Sequence, residues 1–250
     1  MSAADHLRIV KRCYRHICLA ALEMARIATL SREQVAGLWR LTPEQADFFR
    51  TIHGQKDPHI FVTGHVGLWE MCGLGHTSMG YPLASIARPL DNDYINDLLD
   101  GIRGRFGQKI LAKKGALRGA MRAIKEGTSI GMLLDQDAGK RGTFVPLFGR
   151  PASTLSTAAE MALRSGAKIA CVAAWRDEES GCHRLRIGKI LSPGKWQGDR
   201  DESYRNEVRR ITAEYTLQIE EAVREHPEQW LWLHRRWKTR PPEEPASGSR

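Results

Sequence analysis

The sequence predicts an α/β fold: a single domain with a central, mostly parallel sheet flanked by helices. Two observations carry the prediction. Short, largely apolar runs at 60–63, 129–134 and 168–175 alternate with segments of helical periodicity, which is the pattern of a layered α/β architecture. Three polar residues, His65, Arg88 and Asp135, each follow a predicted strand at its carboxyl end, where ligands gather in such folds. The domain is expected to span residues 1–240, with a Pro/Glu/Ser/Gly-rich tail over 241–250 expected to be disordered.

The elements follow in order. From Leu7 to Leu30, apolar residues recur at helical spacing (Leu7, Val10, Tyr14, Ile17, Ala21, Met24) with Lys11, Arg12, Arg15 and Arg26 between them, predicting an amphipathic helix over about 6–30. Such a helix packs on the core or lies on an anionic membrane surface. Thr42-Pro43-Glu44 opens a short helix with proline in its first turn. A buried strand over 60–63 ends at Gly64, and a helix can begin at Val66. Strand 81–87, helix 91–102, strand 109–111 and helix 115–126 follow, the last closed by Gly127. Strand 129–134 leads into the polar loop 135–142. Helix 155–164, strands 168–175 and 183–191, and a long helix 204–225 stopped by His226-Pro227 complete the reading.

The chemistry is expected around Thr63-Gly64-His65-Val66-Gly67-Leu68-Trp69-Glu70. His65 sits at the turn off a strand and a carboxylate follows five residues later. Five residues on a regular helix turn through about 500°, so the two side chains meet only if His65 lies just outside the helix and Glu70 in its second turn. In that arrangement Glu70 would hold one ring nitrogen and leave the other basic, a general-base pair.

Composition bounds the partners. Charged residues are 27% and hydrophobic ones 42%, the balance of a folded globular chain. No apolar run approaches the ~20 residues of a membrane span, and the N-terminus lacks a secretory pattern, so a cytosolic or membrane-peripheral protein is expected. The five cysteines include no C-x2-C pair, so neither a zinc site nor a disulfide framework is expected. The net charge of +9 favours an anionic partner, and Arg103 to Lys125 holds eight basic residues and no acidic one.

Competing motifs carry less. Gly127-Thr128-Ser129-Ile130-Gly131 matches G-x-S-x-G, but a nucleophile elbow needs a strand before the serine and a helix after it, the reverse of the order here. There is no H-E-x-x-H, G-x-G-x-x-G or Walker-type loop. Trp230-Leu-Trp232-Leu-His234-Arg235-Arg236-Trp237-Lys238 suits a membrane interface or a segment packed on the core, and no nucleic-acid module accompanies it.

Gly64-His65-x-Gly67-x-Trp69-Glu70, Asp135-Gln136-Asp137, the stretch from Thr143 to Ala152 and the closing His226-to-Lys238 segment together resemble the late acyltransferases of bacterial lipid A biosynthesis, the lauroyl/myristoyl transferases. These belong to the lysophospholipid acyltransferase superfamily, and the resemblance runs from about Val10 to Pro241. It implies an H-x4-D/E acyltransferase without a cofactor or metal. His65 and Glu70 would be catalytic, and Arg88, Asp135, Gln136 and Asp137 would bind or position substrate. The implied donor is acyl carrier protein or acyl-CoA, and the implied acceptor a glycolipid, most simply a lipid A precursor. The implied location is peripheral, on the cytoplasmic face of the inner membrane. Two features depart from the family pattern. Members generally begin with a hydrophobic N-terminal anchor, so either the protein is peripheral or its start lies upstream. Leu68 stands where a polar residue, often Asn, is usual, which bears on the acceptor. Other readings are a different glycolipid or lysophospholipid acceptor, a thioesterase, or a non-catalytic lipid-binding member.

Overall fold

The architecture is that of a computed structural model describing residues 2–87, 90–112 and 115–242. Among these residues the main sheet orders its strands β1 (Trp39–Arg40), β9 (His183–Ile187), β8 (Lys168–Arg176), β2 (His59–Thr63), β5 (Ser129–Leu133), β3 (Leu83–Ala87) and β4 (Lys109–Ala112). All neighbours run parallel except β8 and β9, which are antiparallel. The expected fold class is therefore the one observed. Residues 143–154, without a secondary-structure expectation, form a separate hairpin of β6 (Thr143–Leu147) and β7 (Arg150–Thr154).

Burial on both faces explains the apolar runs. All five residues of β2 are buried, and their alternation divides them between two layers. Ile60 and Val62 pack with α6 (Ala116–Lys125), α7 (Thr157–Ser165) and α8 (Glu202–Glu225). Phe61 packs with α1 (Ala3–Ile27), α2 (Arg32–Gly37), α3 (Pro43–Gly54), α4 (Glu70–Ser78) and α5 (Asp93–Arg105). Local signals set the helix starts. Thr42 accepts a hydrogen bond from the Gln45 amide with Pro43 in the first turn, and Ser31 caps α2 by the same geometry.

The amphipathic N-terminal helix docks on the core through Cys13, His16, Ala20 and Ile27, while Leu7, Val10 and Tyr14 face outward. Ser129 is a fully buried first residue of β5 whose hydroxyl accepts from the His59 amide, so it is structural and no elbow forms. The expected helix at Val66 begins only at Glu70. Gly67, at φ +58°, breaks helical geometry before it, and Val66 instead bridges Trp230. The expected disordered tail from 243 on, and Arg88, lie outside the described residues.

Candidate active site

The site lies at the carboxyl ends of β2 and β5. These strands pair in parallel with Thr63 beside Leu133, and the Leu134 amide donates to the Thr63 carbonyl. That register carries the next residue, Asp135, alongside His65. The Asp135 carboxylate accepts from the His65 ring Nδ1 at 2.7 Å, from the His65 backbone amide at 2.7 Å and from the Trp230 indole at 2.8 Å. A carboxylate only accepts, so Nδ1 carries a proton, and it is the neutral form of the ring that leaves Nε2 with its lone pair. Burial alone would raise the Asp135 carboxyl, but the hydrogen bonds and charge of His65 and the Trp230 bond outweigh it and hold the group below the usual carboxylate range.

The backbone is clamped to match. The Gly67 amide donates to the Gln229 carbonyl and the Leu231 amide to the His65 carbonyl, so residues 229–231 lie along the turn that carries the histidine. A side chain at Gly67 would meet the Ala174 carbonyl at 1.9 Å, and one at Gly64 would come within 3.0 Å of Asp135 Oδ2. His65 packs edge-on against Trp69 and His234, with ring centroids 4.8 and 4.6 Å apart.

The pairing expected between His65 and Glu70 is not the one the structure makes. Glu70 opens α4 instead of sitting in a second turn, and its carboxylate takes a bidentate grip on Arg103 of α5, at 2.6 and 3.1 Å. Arg103 also donates to Asp100 at 2.8 Å. Asp135 therefore holds the histidine where Glu70 was expected to, and its oxygens serve His65 and Trp230 rather than facing a substrate. Gln136 stands at the site with its amide 3.3 Å from His234 Nε2. Asp137 is committed to structure, accepting from the Gly139 amide and from Thr239. Arg88 falls outside the described residues. The run from Arg103 to Lys125 is not one free cationic face, because Arg103 serves Glu70 and Arg105 donates to carbonyls at the end of α1.

Three participants were not among the site residues expected from the sequence. Arg103 carried no local signal beyond its basic neighbours. Trp230 and His234 come from the far end of the chain, and only the motif they share hinted at them.

Two cavities meet at Trp69 and Glu70. A small one of about 60 Å³ runs beneath α4, past Thr63, Cys72, Arg103 and Gln108. An apolar groove of about 550 Å³ lies between α1 and α5, walled by Ile17, Ala21, Met24, Leu98 and Ile102. Leu68, at the position where a polar residue was expected, is buried and forms part of that wall. Cys72 lies in the inner cavity, but burial pushes its thiol up to about 12, so it is no nucleophile. Among the described residues no group of three or more His, Cys, Asp or Glu is placed to hold a metal ion.

The arrangement is an imidazole oriented by a buried carboxylate, beside an apolar groove of about 550 Å³. The family model for bacterial lipid A biosynthesis acyltransferases matches residues 1–239. The chain belongs to that family. Among its relatives, the lipid A biosynthesis lauroyltransferase of Escherichia coli K12 is 29% identical over 78% of this chain and 61% of its own length. The palmitoleoyltransferase of the same strain is 30% identical over 67% of this chain and 53% of its own length. The myristoyltransferase is 22% identical over 97% and 72%. The chain thus spans little more than half the length of the first two acyltransferases.

Proposed function

We propose that this family member transfers a fatty acyl group from a thioester to a hydroxyl of a glycolipid, with a lipid A precursor as acceptor. The observation that carries the reading is the hydrogen bond from His65 Nδ1 to Asp135, which leaves Nε2 as a base at the mouth of a strand-end site. The acceptor hydroxyl loses its proton to Nε2 as its oxygen attacks the thioester carbonyl. Collapse of the tetrahedral intermediate breaks the carbon–sulfur bond, and the imidazolium returns the proton to the departing thiolate. Asp135 stabilises the imidazolium and fixes the tautomer, acting as the positioning residue. Direct attack needs no acyl-enzyme, in keeping with the neutral thiol of Cys72.

Glu70 and Arg103 contribute geometry. Their ion pair ties the start of α4 to α5, and α5 forms one wall of the groove. The groove is of the size and polarity that suit an acyl chain. The relatives' names specify lauroyl, palmitoleoyl and myristoyl groups, so a long-chain donor is the natural choice here. Acyl carrier protein, or coenzyme A, would present the thioester, and the formal charge of +9 suits either anion. Among the described residues no helix is long and apolar enough to cross a membrane. In keeping with a glycolipid acceptor, we place the chain peripherally on the cytoplasmic face of the inner membrane.

The test is transfer of labelled acyl group from acyl carrier protein to lipid A precursor, comparing wild type with His65→Ala. Labelled glycolipid from the wild type and a loss of about 10²–10⁴-fold in the variant are expected. Release of free fatty acid that added acceptor does not divert would make the protein a thioesterase instead. Lipid binding without turnover in either protein would make it a binding member.

A further inference from the structure

The ring of His65 packs against two others, Trp69, which walls the groove between α1 and α5, and His234, which stands outside it. The C-terminal segment leaves the groove after Leu231 and brings His234 onto the imidazole. There it meets the loop that follows β5. The Gln136 amide lies 3.3 Å from His234 Nε2, and Asp137 accepts from both the backbone amide and the hydroxyl of Thr239. The stretches 136–141 and 234–239 are thus tied at two points into one wall beside His65.

Positive charge accumulates on this wall. Lys140, Arg141, Arg235 and Lys238 are exposed, and none has an ion-pair partner among the described residues. Exposed arginines elsewhere are differently placed: Arg186 is held by Glu221 and Glu225, and Arg210 by Glu207 and Glu214. Arg236 adds to the field from a buried position, donating to the Ser153 carbonyl and the Thr154 hydroxyl. The nearby carboxylates are already engaged, Asp135 by His65 and Trp230 and Asp137 by Gly139 and Thr239.

Beside the cations the wall offers neutral hydrogen-bonding groups. Burial and the charge of His65 hold His234 below the ordinary histidine value, so its ring is uncharged near neutral pH. With Gln136 donating to Nε2, the ring proton lies on Nδ1, and the Gln136 carbonyl oxygen has no partner among the described residues. One N–H and one carbonyl oxygen are the complement of hydroxyl groups, and unpaired cations are the complement of a phosphate. A carrier protein or a bilayer surface would engage the cations and leave the neutral pair without a part.

We propose that this wall is the headgroup site of the glycolipid acceptor, where His234 and Gln136 take sugar hydroxyls and Lys140, Arg141, Arg235 and Lys238 take a phosphate ester on that sugar. The inference deepens the acyl-transfer reading and rests on it. The acceptor headgroup then lies on one side of His65 and the donor's acyl chain on the other, with His234 as a positioning residue.

The experiment is acyl transfer in neutral detergent, free of any bilayer, to a lipid A precursor and to the same lipid with its phosphates removed. Wild type is expected to prefer the phosphorylated acceptor about tenfold or more in kcat/KM. Lys140→Ala/Arg141→Ala/Arg235→Ala, all at exposed positions, should keep the fold and erase that preference. His234→Phe keeps a ring against His65 and should raise KM about tenfold for both acceptors, with the donor KM unmoved. A fall in kcat with the acceptor KM unchanged would leave His234 a mere support for His65 and overturn its place in the site. Equal use of the two acceptors by wild type, or a preference that survives in the triple variant, overturns the proposal. So does a triple variant whose KM rises for the acyl carrier protein thioester instead, since the cations then dock the donor. If wild type transfers to neither lipid, binding of each labelled lipid without donor decides. Phosphate-dependent binding that the triple variant loses sustains the site while the transfer reading falls, and equal binding of both lipids overturns the site itself.

Discussion

Asp135 holds His65 twice, through the ring Nδ1 and through the backbone amide, each at 2.7 Å. The third donor on the same carboxylate is Trp230, from the opposite end of the chain. One buried anion thus fixes the tautomer of the histidine, the path of its backbone and the docking of the C-terminal segment. Asp135→Asn keeps the shape but brings an NH2 group to face a donor, because an amide has one accepting oxygen for three N–H groups. The expected outcome is a fall in kcat of about 10²–10⁴-fold. Stability should drop by about 1–3 kcal/mol, measured by urea unfolding of the same sample.

Glu70 and Arg103 form a bidentate pair in which both side chains are nearly buried. If Glu70 were the partner of the histidine, Glu70→Gln would be as damaging as Asp135→Asn. With its role in the ion pair, Glu70→Gln keeps a hydrogen bond to the guanidinium and should retain most of kcat. Glu70→Ala strands a buried cation that Asp100 compensates only in part, and should cost about 3 kcal/mol or less. Comparing kcat and unfolding free energy across Glu70→Gln, Glu70→Ala and Asp135→Asn separates the two roles.

Much of this was legible in the sequence, and the part that was not has a physical reason. The runs at 60–63, 129–134 and 168–175 gave the sheet because strands buried on both faces are apolar throughout. They also placed His65 and Asp135 at strand ends. What they could not give was that β5 is the hydrogen-bonded neighbour of β2, which alone brings residues 65 and 135 together. A near-neighbour spacing pointed to Glu70, and a partner 70 residues away outbid it. The helix start was misplaced because Gly67 takes a positive φ and ties residues 65–67 to the C-terminal segment, a long-range contact with no local signature.

Acid should unfold this protein through its histidines before its carboxylates. Burial pushes His53 down to about 4 and His76 to about 3 in their aromatic cluster with Tyr81, so both stay neutral in the fold but take protons near 6.5 once unfolded. Between those values the unfolded chain binds more protons, so stability falls as pH drops from about 6.5 towards 4. Asp135 has the opposite logic. Its depressed pKa gives stability present above the unfolded carboxyl value, and this is lost only as pH falls through its still lower folded value. Urea unfolding at a series of pH values should show the loss beginning near 6.5. His53→Phe should reduce the slope by up to one proton's worth, about 1.4 kcal/mol per pH unit.

Two glycines three residues apart should fail differently. At Gly67 the positive φ and the Ala174 carbonyl 1.9 Å from an added Cβ leave no room for relief, so Gly67→Ala should cost about 3 kcal/mol or more. At Gly64 the φ is ordinary, and the added methyl presses on Asp135 Oδ2 and Ile219 at 3.0 Å. Gly64→Ala should therefore lose activity by displacing Asp135 from His65 while losing less stability. Thermal melts run beside single-turnover rates distinguish the two, and equal losses in both would mean that the turn responds as one unit.

The groove between α1 and α5 makes a prediction about chain length. Ala21 lines it from α1, opposite Leu98 on α5, so a larger side chain there shortens the space for an acyl chain without touching His65 or Asp135. Each methylene that loses its apolar surroundings costs about 0.8 kcal/mol. Ala21→Phe, displacing about two methylenes, should thus lower kcat/KM for the longest accepted donor about tenfold relative to one two carbons shorter. The measurement is competition between acyl carrier protein thioesters of different length, with products resolved by mass. A uniform loss across all lengths would place the donor chain elsewhere, and the small cavity beneath α4 would then be the next place to narrow, through Gly73, where an added Cβ meets Gln108 at 2.7 Å.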